Sequence, residues 1–298
     1  MLLHKNNQLF KHVVVATSDS TKLPVAIIEK DYYATMILKQ LAAKSSDCVL
    51  SGGMALVKAH SITDRFSQTI DITTSKRILS AQRKKLASTI KSIGTDIKLA
   101  STSWKDKRTG CTFMYESLEN ALPKNILECV SLAMSFNQLS FSHEQKDITS
   151  FVYQFLAKEN MSIAQEYGLL PFSINAQSLE QLLADNVFTL CDCYLLGKQL
   201  NCAQHLYDIH KLLQRVPLTD GFKKHVHKVR EQRALLPEAA FPSARKGVAV
   251  QKLLHEILAK NIYKDDYAVL ASYFIHERMP YAYVCASLGA LAESTIFE

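Results

Sequence analysis

The chain has 298 residues, 48% of them hydrophobic, with only 9 Gly and 7 Pro; this is material for one large or two ordinary cores and excludes a chain dominated by disorder. A formal charge of +7 admits an anionic partner such as RNA or a nucleotide but is too common to demand one. No apolar run approaches the ~20 residues that a membrane helix needs, so no membrane is expected among the partners.

In chain order, residues 1–27 read as a polar N-terminal arm. Its apolar core, Val13 to Ala16, is too short for a secretory signal. "AIIEKDYYATMILKQLAAK" (26–44) spaces Tyr33, Met36, Ile37, Leu38 and Leu41 as one helical face, with Lys39 and Gln40 toward water. Within it, Glu29, Lys30 and Asp31 read as a charged helix start. "DCVL" (47–50) is a short buried strand ending at Gly52-Gly53, and "MALVKAHSI" after it reads as helix. "QTIDITT" (68–74) alternates, with Ile70 and Ile72 on one face and Thr69, Asp71 and Thr73 on the other. Residues 76–95 form a basic helix, followed by the strand-like pieces "DIKLAST", "CTFMYES" and "NILECVSLAM". In the last of these Glu128 sits mid-strand, in phase with Val130 and out of phase with Cys129.

Strands interleaved with helices in this half imply an α/β layer with a mixed sheet. The character changes near "PFSINAQSLEQ" (171–181), and helical patterns then cover 179–198, 202–214, 221–234, 247–260 and 265–293, broken near Pro280. The expected organisation is an arm at 1–27, an α/β domain at 28–175 and an all-helical domain at 176–298. Seven scattered cysteines suit free thiols in a reducing, cytoplasmic setting. Cys191 and Cys193 form a C-x-C without a second ligand pair nearby, so a zinc site is not expected.

The chemistry concentrates around "LSGGMALVKAHSITDRFSQTIDITT" (50–74). Glycines opening a helix let a backbone approach a phosphate closely, and the free amides favour the anion. Alone, Gly52-Gly53 is more often a tight turn. The acid-bearing strand at Asp71 and the acid at Glu128 strengthen the signal, because a buried carboxylate is costly unless it is paired or holds a metal. Strand, glycine pair, helix and two acidic strands describe a nucleotidyl-transfer site, in which divalent cations bridge carboxylates and a nucleoside triphosphate.

At this point the chain resembles the AbiEii/AbiGii toxin family of nucleotidyltransferases, the toxin half of type IV toxin–antitoxin and phage-abortive systems. The matching words are "IEKDYY" (28–33), "SGGMAL" (51–56), "DRFSQTIDI" (64–72), "ILECVS" (126–131), "LLADNVFTLCD" (182–192), "HLYDIHKLL" (205–213), "PSA" (242–244) and "DDYAVL" (265–270). The resemblance implies a nucleotidyltransferase fold, a helical domain behind it, an NTP and magnesium, transfer to RNA (a tRNA acceptor end) and a cognate antitoxin. By the same resemblance, Ser51, Gly52, Gly53, Arg65 and Asn186 are candidate phosphate or nucleotide contacts. Thr69, Asp71 and Glu128 are candidate metal positions, and Asp71 and Asp208 are candidate catalytic residues.

Three departures stand out. Where the family's strand reads R-F-S-E-D-I-D, this chain has Thr69 in place of the first aspartate and keeps Asp71. A family lysine is replaced by Asn186, and a family arginine by Gln204. Asp47, Asp64 and Lys58 are conceivable compensating charges. Arg65 reads equally as a phosphate contact or a helix cap, and His205 and Asp208 as an acid/base pair or a paired helix face. The basic stretches 76–85 and 222–233 read first as solvated faces and second as RNA-docking strips. Two functions follow: nucleotidyl transfer through an atypical, weakened site, or a degenerate relative that binds a nucleotide, RNA or antitoxin without turnover.

Overall fold

The computed structural model describes residues 2–44, 46–63, 65–67, 69–74, 80–104, 108–118, 128–136, 142–273, 275 and 279–298. Chain contacts divide these into two units. The first holds residues 1–59, 67–138 and 144–176; the second holds 60–66, 139–143 and 177–298.

The first unit is organised around helix α2 (Val25–Lys44), whose apolar residues lie on every side rather than on one stripe. Ile28, Tyr32, Ile37, Leu38 and Leu41 are buried, as a helix enclosed on all faces requires. Residues expected as a polar arm instead form helix α1 (Asn7–Thr21), which buries Phe10, Val13, Val14 and Thr17 at i, i+3, i+4 and i+7. The Asn6 side chain caps it by accepting from Leu9 N at 3.2 Å. Phe10 packs on Tyr32 with ring centroids 4.9 Å apart.

Among the described residues, seven strands form one mixed sheet in the order β3-β4-β5-β2-β1-β7-β6. They are β1 (Cys48–Ser51), β2 (Thr69–Thr74), β3 (Lys98–Trp104), β4 (Arg108–Met114), β5 (Cys129–Ser135), β6 (His143–Ile148) and β7 (Phe172–Gln177). β2 lies mid-sheet, antiparallel to β1 and parallel to β5. β7 runs parallel to β1, where the sequence shows only a change of character. Between β1 and β2 the chain makes a short helix α3 (Gly52–Met54) that widens into a π turn over Ala55–Ala59. The basic helix is α4 (Ser80–Asp96), and α5 (Phe151–Glu159) and α6 (Met161–Glu166) precede β7. The mixed sheet with flanking helices is consistent with a nucleotidyltransferase-like architecture.

In the second unit the regular elements from Leu179 onward are helical: α7 (Leu179–Leu195), α8 (Ala203–Leu213), α9 (Asp220–Ala234), a 3-10 turn at Pro242–Ala244, α10 (Val250–Lys260), α11 (Lys264–Tyr273) and α12 (Tyr281–Glu293). An isolated bridge between Arg65 and Ile275 is the exception. Ser178 and Thr219 cap α7 and α9 through their hydroxyls, as the sequence's Ser and Thr before each helix dictate. Pro280 stands at the cap of α12, which accounts for the predicted break. No described helix is long and apolar enough to cross a membrane.

Candidate functional site

The glycine turn and Asp71 meet in the first unit. Ser51 pairs with Asp71 in the β1–β2 register, and the Ser51 hydroxyl donates to the Asp71 carbonyl at 3.1 Å. That proton ties the two strands together, so Ser51 acts first as a latch and not as a phosphate donor. Gly52 adopts φ +61, a left-handed conformation that suits glycine, and a Cβ built there would stand 2.9 Å from Asp71 Oδ2. The turn is therefore pressed against the carboxylate by both backbone shape and space. Gly53 is buried behind it.

Thr69, Asp71 and their β5 neighbours Ser131 and Ala133 share one half-buried face, while Ile70, Ile72, Val130 and Leu132 fill the other. Asp71 is the one acidic residue in the described strands β1–β5. The sequence expectation for Glu128 needs correction. It lies at a bend before β5, not mid-strand, and its carbonyl accepts from Tyr115 N at 3.2 Å. It is also one residue out of phase with Cys129, Ser131 and Ala133, so strand alternation does not carry it to the face of Asp71.

The compensating charges do not gather there either. Lys58 is buried in an ion pair with Asp31 and donates to Thr149 O at 2.8 Å. Asp47 precedes β1 at the end opposite Gly52 and accepts from Gln82. Asp64 lies outside the described residues. Among the described residues no cluster of three or more His, Cys, Asp or Glu is arranged to hold a metal. One carboxylate and one neutral hydroxyl do not fit the donor set of a paired divalent centre, which needs several anionic oxygens.

The second cluster lies within the helical unit. Arg65 Nε and Nη2 donate to Asp208 Oδ1 and Oδ2, each at 2.6 Å, in a two-pronged pair that is almost fully buried. The pair satisfies the burial of both groups, so the partner of the Asp208 carboxylate is a guanidinium and not His205. His205 is neutral. Burial pushes its pKa down to about 4, and Arg65 also lowers it, against an opposing effect of Asp208. Its Nδ1 lies 2.7 Å from Asn186 Oδ1, and Asn186 Nδ2 donates to Leu182 O at 2.8 Å. With the amide oriented by Leu182, the Nδ1–H of His205 must be the donor. Asn186 thus fastens α7 to α8 from a buried position, which does not suit the phosphate contact expected of it. Gln204 is half-buried and reaches Asn201 O at 3.3 Å.

Several charged residues carry structure the sequence reading did not assign. Glu29, Lys30 and Asp31 form no exposed helix start. All three are buried in α2, necessarily pointing about 100° apart around the helix. Glu29 accepts from Ser117 Oγ and Leu118 N, each at 2.9 Å, and Asp31 accepts from Phe151 N at 2.8 Å. Burial pulls Lys30, beside Cys129, down to about 8. Lys39 and Gln40, expected toward water, bind Gly168 O at 2.7 Å and Asp96 Oδ2 at 3.1 Å. Arg233 leaves the proposed basic strip. It is buried between Phe188 and Phe241 and pairs with Asp185 at 3.1 Å and Asp192 at 2.7 Å. Ser243 N completes that network on Asp192 at 2.8 Å, which explains "PSA" as a packing motif. The signal for Glu29, Lys30 and Asp31 was charged residues flanked by apolar ones on every helical side.

A solved structure, JHP933 from Helicobacter pylori, is similar over 89% of this chain and 90% of that one, at 16% identity and a TM-score of 0.49. No curated protein matches the sequence. The model described as nucleotidyl transferase AbiEii toxin, type IV TA system, matches residues 37–285, which takes in the glycine turn, Asp71, Asn186 and Asp208. The chain belongs to the AbiEii family of nucleotidyl transferase toxins of type IV toxin–antitoxin systems.

Proposed function

We propose that this protein binds a nucleoside triphosphate and transfers its nucleotidyl group to an RNA end, with a tRNA acceptor end as the favoured class, at a rate far below that of a relative with both strand acids. One observation carries the reading: Gly52 is fitted against Asp71 with no room for a Cβ. A turn kept this tight against a carboxylate is what close approach of a triphosphate demands. In the reaction an RNA hydroxyl oxygen bonds to the α-phosphorus as the bond to pyrophosphate breaks, and the hydroxyl proton passes to solvent water. Asp71 is the anionic group placed beside the turn, and Asp208, locked by Arg65, holds the α8 side of the helical unit rigid. Among the described residues, the family's magnesium would meet Asp71 and the Thr69 hydroxyl, so no step is assigned to a metal. Loss of one anionic ligand costs several kcal/mol of barrier, on the order of 10²–10⁴ in rate.

The second reading, binding without turnover, is favoured by Asn186, which replaces a cation and is committed to the α7–α8 contact. A cognate antitoxin is the proposed protein partner under either reading. Labelled NTPs, offered one at a time with tRNA and magnesium, separate them. Transfer predicts faint labelling that Asp71→Ala abolishes and Thr69→Asp raises about 10²-fold or more. No label from either the natural protein or the Thr69→Asp variant overturns transfer, and bound triphosphate without label then establishes the binding reading.

A further inference from the structure

One stripe of α2 walls a cavity. Tyr32, Thr35, Met36, Lys39, Gln40 and Ala43 recur at i, i+3, i+4, i+7, i+8 and i+11 and so share one helical face, which runs from the buried Tyr32 to the exposed Ala43. Opposite stand Gln165 and Glu166 at the end of α6, then Tyr167 to Leu170 and Phe172 on the way into β7. The space between them is about 480 Å³, within the roughly 300–1,000 Å³ of small-molecule sites. Its described walls include nothing from β1, β2 or the glycine turn, so it is separate from the corner that holds Asp71. Met36, Ala43, Leu169, Leu170 and Phe172 make the lining mainly apolar.

The polar handle in this lining is Lys39. Its ammonium has three N–H donors. Two are spent on the Gly168 and Leu170 carbonyls, at 2.7 and 3.1 Å, which pins the connection that forms the far wall. Gly168 turns that connection through φ +64. Among the described residues the third N–H meets no acceptor, and no carboxylate stands within ion-pair reach of the ammonium. Partial burial without such a partner pulls the Lys39 pKa below the usual lysine value. Glu166, the other charged group in the lining, is exposed at the last residue of α6, where water screens it. A half-buried cation in an apolar wall, with a donor to spare, is matched by an anionic oxygen.

We propose that this cavity binds a small amphipathic carboxylate, with its apolar body against Met36, Leu169 and Phe172 and its carboxylate on the third N–H of Lys39. The charge and the wall select that class together. A phosphate monoester brings more charge and more oxygens than one ammonium satisfies, and the remainder would be stranded against apolar carbon at a cost. A neutral apolar molecule covers the same wall but gives Lys39 no partner. A carboxylate with an apolar body uses both features, and the charge-assisted hydrogen bond gives it a preference over the matching alcohol.

The test titrates the full-length protein by calorimetry with decanoate and 2-naphthoate, and in parallel with decan-1-ol and 2-naphthol, below the concentrations at which they self-associate. The expected result is saturable one-to-one uptake of at least one of the two carboxylates, about 10-fold or more tighter than its alcohol. Lys39→Met should bring acid and alcohol to within about 3-fold of each other, whereas Lys39→Arg should keep the preference. A diazirine-bearing analogue of the bound carboxylate should, on irradiation, label the natural protein within residues 32–43 or 165–172. Saturable uptake of neither carboxylate, equal affinity for acid and alcohol, a preference that survives Lys39→Met, or labelling confined to other stretches each overturns the proposal. The acid–alcohol comparison and the labelling use the natural protein, so they decide the matter even if Lys39→Met fails to fold.

Discussion

Substituting alanine at Gly52 isolates what the turn does. At φ +61 an alanine carries a backbone strain of about 1–2 kcal/mol. Its methyl carbon would also stand 2.9 Å from Asp71 Oδ2 and 3.4 Å from Asp71 Cβ and Cγ. The strand cannot retreat, because β2 is registered against β1 from Ser51 to Cys48 and against β5 from Ser131 to Ser135. The carboxylate must therefore rotate away by several tenths of an ångström, and misplacement on that scale costs roughly 10- to 100-fold in a positioned group's function. Gly197→Ala is the matched control: its φ is +66, and nothing lies within 4 Å of the added Cβ. Both variants should lose about 1–2 kcal/mol, a midpoint drop of about 2–8 °C. Only Gly52→Ala should also weaken triphosphate binding, by roughly 10-fold or more, in calorimetry at a temperature where both variants remain folded. Equal triphosphate affinity in the two variants would refute the claim that the turn and Asp71 form one binding corner.

The remaining predictions concern buried charge. His205 titrates at about 4 folded against 6.5 free, so the unfolded chain binds the extra proton between those values; stability is present above pH 6.5 and falls by about 3 kcal/mol as pH drops toward 4. His205→Gln should flatten that slope in midpoints measured from pH 7 to pH 4.5, and an unchanged slope would remove His205 as its source. Arg65→Met should destabilise by about 3–5 kcal/mol by stranding Asp208, whereas Arg65→Met with Asp208→Leu should recover most of it; additive losses in urea unfolding would contradict a closed pair. Lys58→Met should cost about 3 kcal/mol through Asp31 and leave triphosphate affinity unchanged, and a fall in affinity would restore Lys58 as a compensating cation.

The helices of the second unit were legible from their apolar spacing, helped where the sequence also signals an end: Ser178 and Thr219 mark starts, and Pro280 marks a break. β6 and β7 were not. "HEQKDI" is exposed along most of its length and offers no buried alternation, and "FSINAQ" buries little beyond Ile174, Ala176 and Gln177. Asp71 could be placed on its correct face from "TIDITT" alone, because the period of two fixes every side chain once one is fixed. Glu128 failed for a related reason. Alternation placed it correctly with Val130, but only the pairing of β5 with β2 shows that the face of Asp71 belongs to the opposite phase. Long-range partners were the general blind spot. That Arg65 finds Asp208 143 residues away, or that Glu29 receives Ser117, is decided by tertiary packing, which no local spacing encodes. The same logic explains why the substituted positions matter unequally. Thr69 keeps its place on the strand and lacks only charge, so one mutation addresses it. Asn186 has been absorbed into a helix contact with His205 and Leu182, so returning a lysine there would have to break that contact before it could meet a phosphate.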